Sequence, residues 1–185
     1  MPLLNWLRSG RETRDAAHGL YAAIVVRART AEFYSGLGVP DTLDGRFDMI
    51  VLHMFLVLER LRSGNKAGRH LSQALFDLMF RDMDRSLREI GVSDHAIGRR
   101  IKQMISAFYG RMQAYGEAGD DPARLAEAVR RNVYREQSSD PAALSRLAGY
   151  MLATRRELAA EPLERLLVGG LRSAATQLGE AQERR

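Results

Sequence analysis

Between Gly45 and Arg62 the chain carries apolar residues on nearly every side of a helix. Phe47, Ile50, Val51, Met54, Leu58 and Leu61 recur at the helical period, and Leu52, Phe55, Leu56 and Val57 fill much of the remaining circumference. A helix at a water boundary keeps one polar face, so a helix apolar nearly all round has to be enclosed by others. Its longest apolar run, Met49 to Leu58, contains His53 and falls short of the ~18–20 residues of a bilayer span. The segment therefore reads as the buried centre of a helical bundle.

The rest of the chain supplies helices to surround it. A first helix is expected from about Asp15 to Tyr34, stopped by Gly36 and Gly38. Val39 to Gly45 is a turn-rich connector, in which Pro40 fixes a turn and Asp44 is placed to cap the central helix. After a loop at Ser63–Gly68, a helix from about Leu71 to Ile90 carries Phe76, Met79, Phe80, Met83 and Leu87 on one face and alternating Asp and Arg on another. Ser93 opens the next helix, which runs to Gly116 and Gly119. Asp121-Pro122 and Asp140-Pro141 each open a further helix, with aspartate at the cap and proline at the first helical position. Glu161-Pro162 breaks the last of these. The expectation is an all-α, single-domain bundle of about six to seven helices spanning 15–170. Residues 1–14 are expected to form a mobile N-terminal segment, and 171–185 a frayed tail.

Several chemistries are excluded or weakly supported. There is no cysteine, which removes disulfides, cysteine-based zinc sites and iron–sulfur ligation. No Gly-x-Ser-x-Gly, Walker A or Gly-x-Gly-x-x-Gly motif occurs. His18, His53, His70 and His95 form no metal-ligand spacing, so no cofactor or metal is expected. His53 reads as a core histidine holding one hydrogen-bond partner. Two aspartate clusters stand out: Asp41, Asp44 and Asp48, then Asp77, Asp82 and Asp84. Carboxylates converging from two facing helices hold Mg²⁺-diphosphate in all-helical isoprenoid enzymes. Here Asp77 and Asp84 share a face with arginines, and Asp82 lies well round the wheel from Asp77.

The net charge is +5, but the excess is spread along the chain. A nucleic-acid binder concentrates its charge on one face, and no specific nucleic-acid or small-molecule ligand is expected. Arg60, Arg62, Lys66 and Arg69 make the best local basic patch, a weak candidate for an anionic surface such as lipid headgroups or a ribosome. Methionines and phenylalanines concentrate in the two central helices. Most are expected in the core, with one or two left to line an apolar groove.

The string Phe33-Tyr34-Ser35-Gly36-Leu37-Gly38-Val39-Pro40-Asp41-Thr42-Leu43-Asp44-Gly45-Arg46-Phe47-Asp48, followed by Leu52-His53 and Phe55-Leu56, resembles the N-terminal signature of the ubiquinol–cytochrome c chaperone family. Gln73 to Asp77, Met79-Phe80, Asp82-Met83-Asp84, Leu87-Arg88-Glu89 and Gly91-Val92 continue the resemblance, as do Lys102-Gln103-Met104 and Phe108 to Arg111. It implies a non-catalytic chaperone that binds newly made cytochrome b, or another assembly intermediate, and supports assembly of the bc1 complex. Without an arginine-rich, acid-poor leader the chain reads as a bacterial member, placed in the cytoplasm or at the inner face of the plasma membrane. Motif-matched candidates for client or partner binding are Phe33, Pro40, Asp41, Asp44, Arg46, Asp48, His53, Asp77, Asp82 and Asp84. The groove they would serve is expected near the 39–48 connector and the helices after it. Two rival readings remain, the Mg-dependent isoprenoid-type enzyme and a ribosome- or membrane-docking adaptor.

Overall fold

In the computed structural model, which describes residues 2–62, 66–135 and 140–171, the chain is helical almost throughout. The order is α1 (Pro2–Ala28), α2 (Ala31–Ser35), α3 (Leu43–Arg62), α4 (Lys66–Glu89), α5 (Asp94–Ala118), α6 (Pro122–Val129), a π turn (Arg130–Tyr134), α7 (Pro141–Ala160) and α8 (Leu163–Leu167). There is no strand among the described residues, and none of their helices is long and apolar enough to cross a membrane. The all-α bundle expected from the sequence is what forms: the described residues hold six helices of eight residues or more and two five-residue helices.

The centre is α3. Every residue from Phe47 to Val57 is buried, and α1, α4, α5, α7, α8 and the π turn all pack against this helix. The all-round apolar pattern thus has its predicted consequence: the helix has no solvent face along its middle three turns.

Element boundaries depart from expectation in four places. The first helix begins at Pro2 rather than near Asp15, and it ends at Ala28 rather than Tyr34. Thr30 leaves helical geometry at φ −57°, ψ 124°, and α2 restarts in a new direction. That break turns Phe33 inward, where it packs edge-on against His53 and Tyr150 at 5.5 and 5.1 Å between ring centroids. The Tyr34 hydroxyl donates to the Ala28 carbonyl at 2.7 Å, satisfying an acceptor that the broken helix leaves open.

Asp44 is not the cap of α3. The helix starts at Leu43, two residues before the expected Gly45, and the Thr42 hydroxyl accepts from the Gly45 amide at 3.1 Å. Gly45 itself is obligatory for steric reasons, since a Cβ there would sit 1.9 Å from the Pro40 carbonyl oxygen. The connector is therefore folded tightly onto the first turn of α3.

Lys66 to His70, part of which reads as loop in the sequence, already belong to α4. Gly68 lets the start of α4 pass close to the end of α3, because a Cβ there would stand 2.6 Å from the Leu61 carbonyl oxygen. Ser63, Gly64 and Asn65 of that loop, and the tail from Ser173, lie outside the described residues. The two Asp-Pro openings form as read: Asp121 accepts from the Ala123 and Arg124 amides, and Asp140 from the Ala142 amide. Ser93 occupies the N-cap position of α5, but its side chain makes no capping bond.

Candidate functional site

The first aspartate cluster does not gather around a common point. Each carboxylate is matched to arginines, and the three grade from surface to core. Asp41 is exposed and pairs with Arg46 at 2.6 Å. Asp44, half-buried, pairs with Arg100 and meets Arg135 at 3.1 Å. Asp48, fully buried in the first turns of α3, accepts from Arg111 at 2.6 Å and from Arg135 at 3.0 and 3.2 Å. Arg100 and Arg111 come from α5 and Arg135 is the residue after the π turn, while Arg46 belongs to α3 itself. Arg135 is in the left-handed region at φ 52°, a conformation that aims its guanidinium back at α3.

Arg111 is enclosed as well. Its other donors reach the Ala107 carbonyl at 3.1 Å and the Asn132 carbonyl at 3.2 Å, and its guanidinium lies 5.8 Å from the Phe47 ring centre. Burial pushes the Asp48 carboxyl up to about 6, against the pull of Arg111 and Arg135 in the opposite direction. At neutral pH the group is ionised and the three-helix junction is held by charge-assisted bonds.

His53 is a satisfied core histidine. Nδ1 stands 2.8 Å from the Met49 carbonyl, so it carries the proton, and Nε2 accepts from the Tyr150 hydroxyl at 2.7 Å. Burial lowers its pKa to about 4, so the ring is neutral at physiological pH. Phe33, Asp48 and His53 are thus interior residues at the junctions of α2, α3, α5 and α7. Pro40, Asp41, Asp44 and Arg46 shape the connector above them.

The second aspartate cluster faces outward. Asp77 accepts from Gln73 at 2.8 Å, Asp84 pairs with Arg88 at 2.8 Å, and Asp82 accepts from the Tyr21 hydroxyl at 2.9 Å and pairs with Arg85. Asp77 and Asp84 line a crevice of about 810 Å³ between α1 and α4 that reaches Ile101 of α5. Asp82 lines a second crevice of about 570 Å³, which shares His18, Leu78 and Arg81 with the first. The floor holds Ala17, Val25, Leu78 and Phe80. One wall of this crevice is α4, among the helices after the connector where the sequence reading expects the groove, and none of its lining residues comes from the 39–48 connector itself. Among the described residues no three His, Asp or Glu side chains are grouped as a metal site would require.

In the basic patch, Arg60 donates to the Leu158 and Glu161 carbonyls at 2.8 and 2.9 Å and ties α3 to the end of α7. Arg62, Lys66 and Arg69 are exposed.

Sequence reasoning missed Arg100, Arg111, Arg135 and Tyr150. Arg111 had a visible signal: it sits on the apolar stripe of its helix with Met104, Phe108 and Tyr115, and a cation on a core stripe demands a partner.

Comparison with known proteins agrees with this architecture. A solved structure described as the Cbp3 homolog from Brucella abortus superposes with a TM-score of 0.81 at 36% identity, covering 94% of this chain and 97% of that one. An assembly factor 1 of the ubiquinol–cytochrome c reductase complex from Xenopus laevis is 28% identical over 74% of this chain and 68% of its own length. The mitochondrial protein CBP3 of Saccharomyces cerevisiae is 33% identical over 55% of this chain and 32% of its own length. The chain spans 68%, 53% and 46% of the Xenopus, mouse and human assembly factors. The family model described as ubiquinol-cytochrome C chaperone matches residues 35–174, from the end of α2 past the end of α8. That span takes in the connector, the buried Asp48 junction and the α4 wall of the crevice, and the chain belongs to the ubiquinol–cytochrome c chaperone family.

Proposed function

We propose that this protein is a non-catalytic chaperone that holds newly made cytochrome b and supports assembly of the ubiquinol–cytochrome c reductase complex. The observation that carries the reading is the family match over residues 35–174, joined to a helical scaffold that leaves an apolar-floored crevice open. An unassembled membrane subunit exposes apolar surface until its partners arrive. A crevice with an apolar floor and a charged rim suits such a segment.

The candidate residues divide between two roles in this reading. Asp77, Asp82 and Asp84 border the client-facing crevice. Phe33, Pro40, Asp41, Asp44, Arg46, Asp48 and His53 hold α2, α3 and the connector in place and so act on the client through the scaffold. Arg62, Lys66 and Arg69, exposed at the far end of α3 and the start of α4, are assigned to an anionic surface at the membrane.

The test is site-directed photocrosslinking in membranes from cells making the tagged protein. A crosslinking amino acid at Phe76 in the crevice wall is expected to capture cytochrome b. The same group at Gln113, on the α5–α6 side, is expected to capture far less. Equal capture at both positions, or capture of no bc1 subunit, would sink the reading.

A further inference from the structure

The two crevices along α1 and α4 are one continuous feature. On α1 the lining residues follow a single helical stripe, with Ala17, Tyr21, Ala22, Val25 and Val26 at spacings of four, one, three and one; Val26 is 72% exposed. The stripe extends from Arg14 to Arg29, which is about four turns, or ~22 Å, of helix. Leu78 of α4 is common to both halves.

The charges on the rim are unequal in a way that their number hides. Asp82 and Asp84 each pair with an arginine, and Asp77 accepts from the neutral Gln73 amide. By contrast, Arg14, Arg29 and Arg81 make no ion pair among the described residues. Arg81 has only a 3.2 Å bond to the Asp77 backbone carbonyl. Arg14 and Arg29 stand at the two ends of the stripe on α1, and Arg81 stands on α4 between them. All three are exposed. Asp77 lies one turn from Arg81 on α4 and offsets it, so the unspent charge of the crevice is positive at the two ends of the α1 stripe.

We infer that this crevice is a docking groove for an amphipathic helix whose apolar stripe is bordered by carboxylates about four turns apart. A concave channel between two packed helices receives a third helix by ridges-into-grooves packing. A lipid surface would instead need its contacts on a convex face. The inference rests on the chaperone reading only for the biological source of the helix; the chemistry of the groove stands without it.

The test uses the full chain and two synthetic fluorescein-labelled peptides of roughly 18 residues, four to five turns each. Both carry leucines at helical spacing; one has glutamates flanking the stripe and the other lysines. Fluorescence anisotropy should show the glutamate peptide binding about tenfold more tightly, as two exposed ion pairs of ordinary strength would give. The preference should shrink in high salt. The triple variant Arg14→Glu, Arg29→Glu, Arg81→Glu should reverse it, with an unchanged circular-dichroism melt showing that the fold is intact. Val26→Glu should weaken both peptides. Equal binding of the two peptides, or a triple variant that binds as the parent does, overturns the inference. So does arginine-dependent binding to phosphatidylglycerol vesicles with no peptide preference, which would assign the face to lipid. A dimer in sedimentation that the peptide cannot displace would assign it to a second copy of the chain. Loss of crosslinking to bc1 subunits with retained peptide preference would instead count against the chaperone reading alone.

Discussion

Arg111 and Asp48 form a salt bridge at 2.6 Å in which the carboxylate has no solvent exposure and the guanidinium side chain is 9% exposed. The pair joins α5 to α3 across 63 residues of sequence. Removing one member leaves the other charged and buried, which costs about 3–5 kcal/mol where no second partner helps. Asp48 retains Arg135, so Arg111→Met is expected at the lower end of that range in urea unfolding. The double variant Asp48→Leu, Arg111→Met should recover most of the loss, because no isolated charge remains. A double variant whose cost equals the sum of the two single costs would show that the pair is not coupled.

The buried histidine makes stability depend on pH in a definite direction. Its folded pKa, about 4, lies below the ordinary value of 6.5, so the unfolded chain takes up the proton first. The contribution is fully present above about pH 6.5 and is lost as the pH falls toward 4, up to about 3 kcal/mol in all. Asp48 acts in the opposite sense: held up to about 6 by burial, it gains its proton before the unfolded chain does and adds stability as the pH falls through 6. The difference between parent and His53→Gln isolates the histidine. The variant should be less stable at pH 7.5 and should lose less between pH 6.5 and 4. Parallel curves would contradict the assignment.

The hydroxyl of Tyr150 donates to His53 Nε2, and Phe33 packs on both rings. Tyr150→Phe leaves that nitrogen without its donor at a site closed to water. The expected cost is ~1–3 kcal/mol in thermal or chemical unfolding. A change below ~0.5 kcal/mol would mean that another donor replaces the hydroxyl.

How far the fold was legible follows from where its causes lie. The central helix was readable because burial on all sides leaves its mark in every residue from Phe47 to Val57. The Asp-Pro openings of α6 and α7 were readable because a cap is a local device. The break at Thr30 was not, since the residues that favour it, Phe33 turning onto His53 and Tyr150, act across the bundle. Asp44 looked like a cap because Thr42, two residues earlier, serves as well, and only the partners Arg100 and Arg135 decide between them. The crevice was the least legible feature: it depends on which arginines remain unpaired after α1 and α4 have met.

Glycine positions give a steric check on the connector. Gly45→Ala would drive its methyl group to 1.9 Å from the Pro40 carbonyl oxygen, a backbone atom that cannot yield without moving the connector. A loss of at least ~2 kcal/mol is expected, toward the upper part of the range for overpacking. Gly98→Ala on α5, where a Cβ meets nothing within 4 Å, should be neutral or slightly stabilising. Equal melting temperatures for the two variants would contradict the tight turn.

The central claim, support of bc1 assembly, is tested most directly by ubiquinol–cytochrome c reductase activity in membranes of a strain lacking this chain. This activity should be lost while NADH dehydrogenase activity persists, and the parent gene should restore it. Normal bc1 activity and normal cytochrome b levels in the deletion strain would contradict the claim.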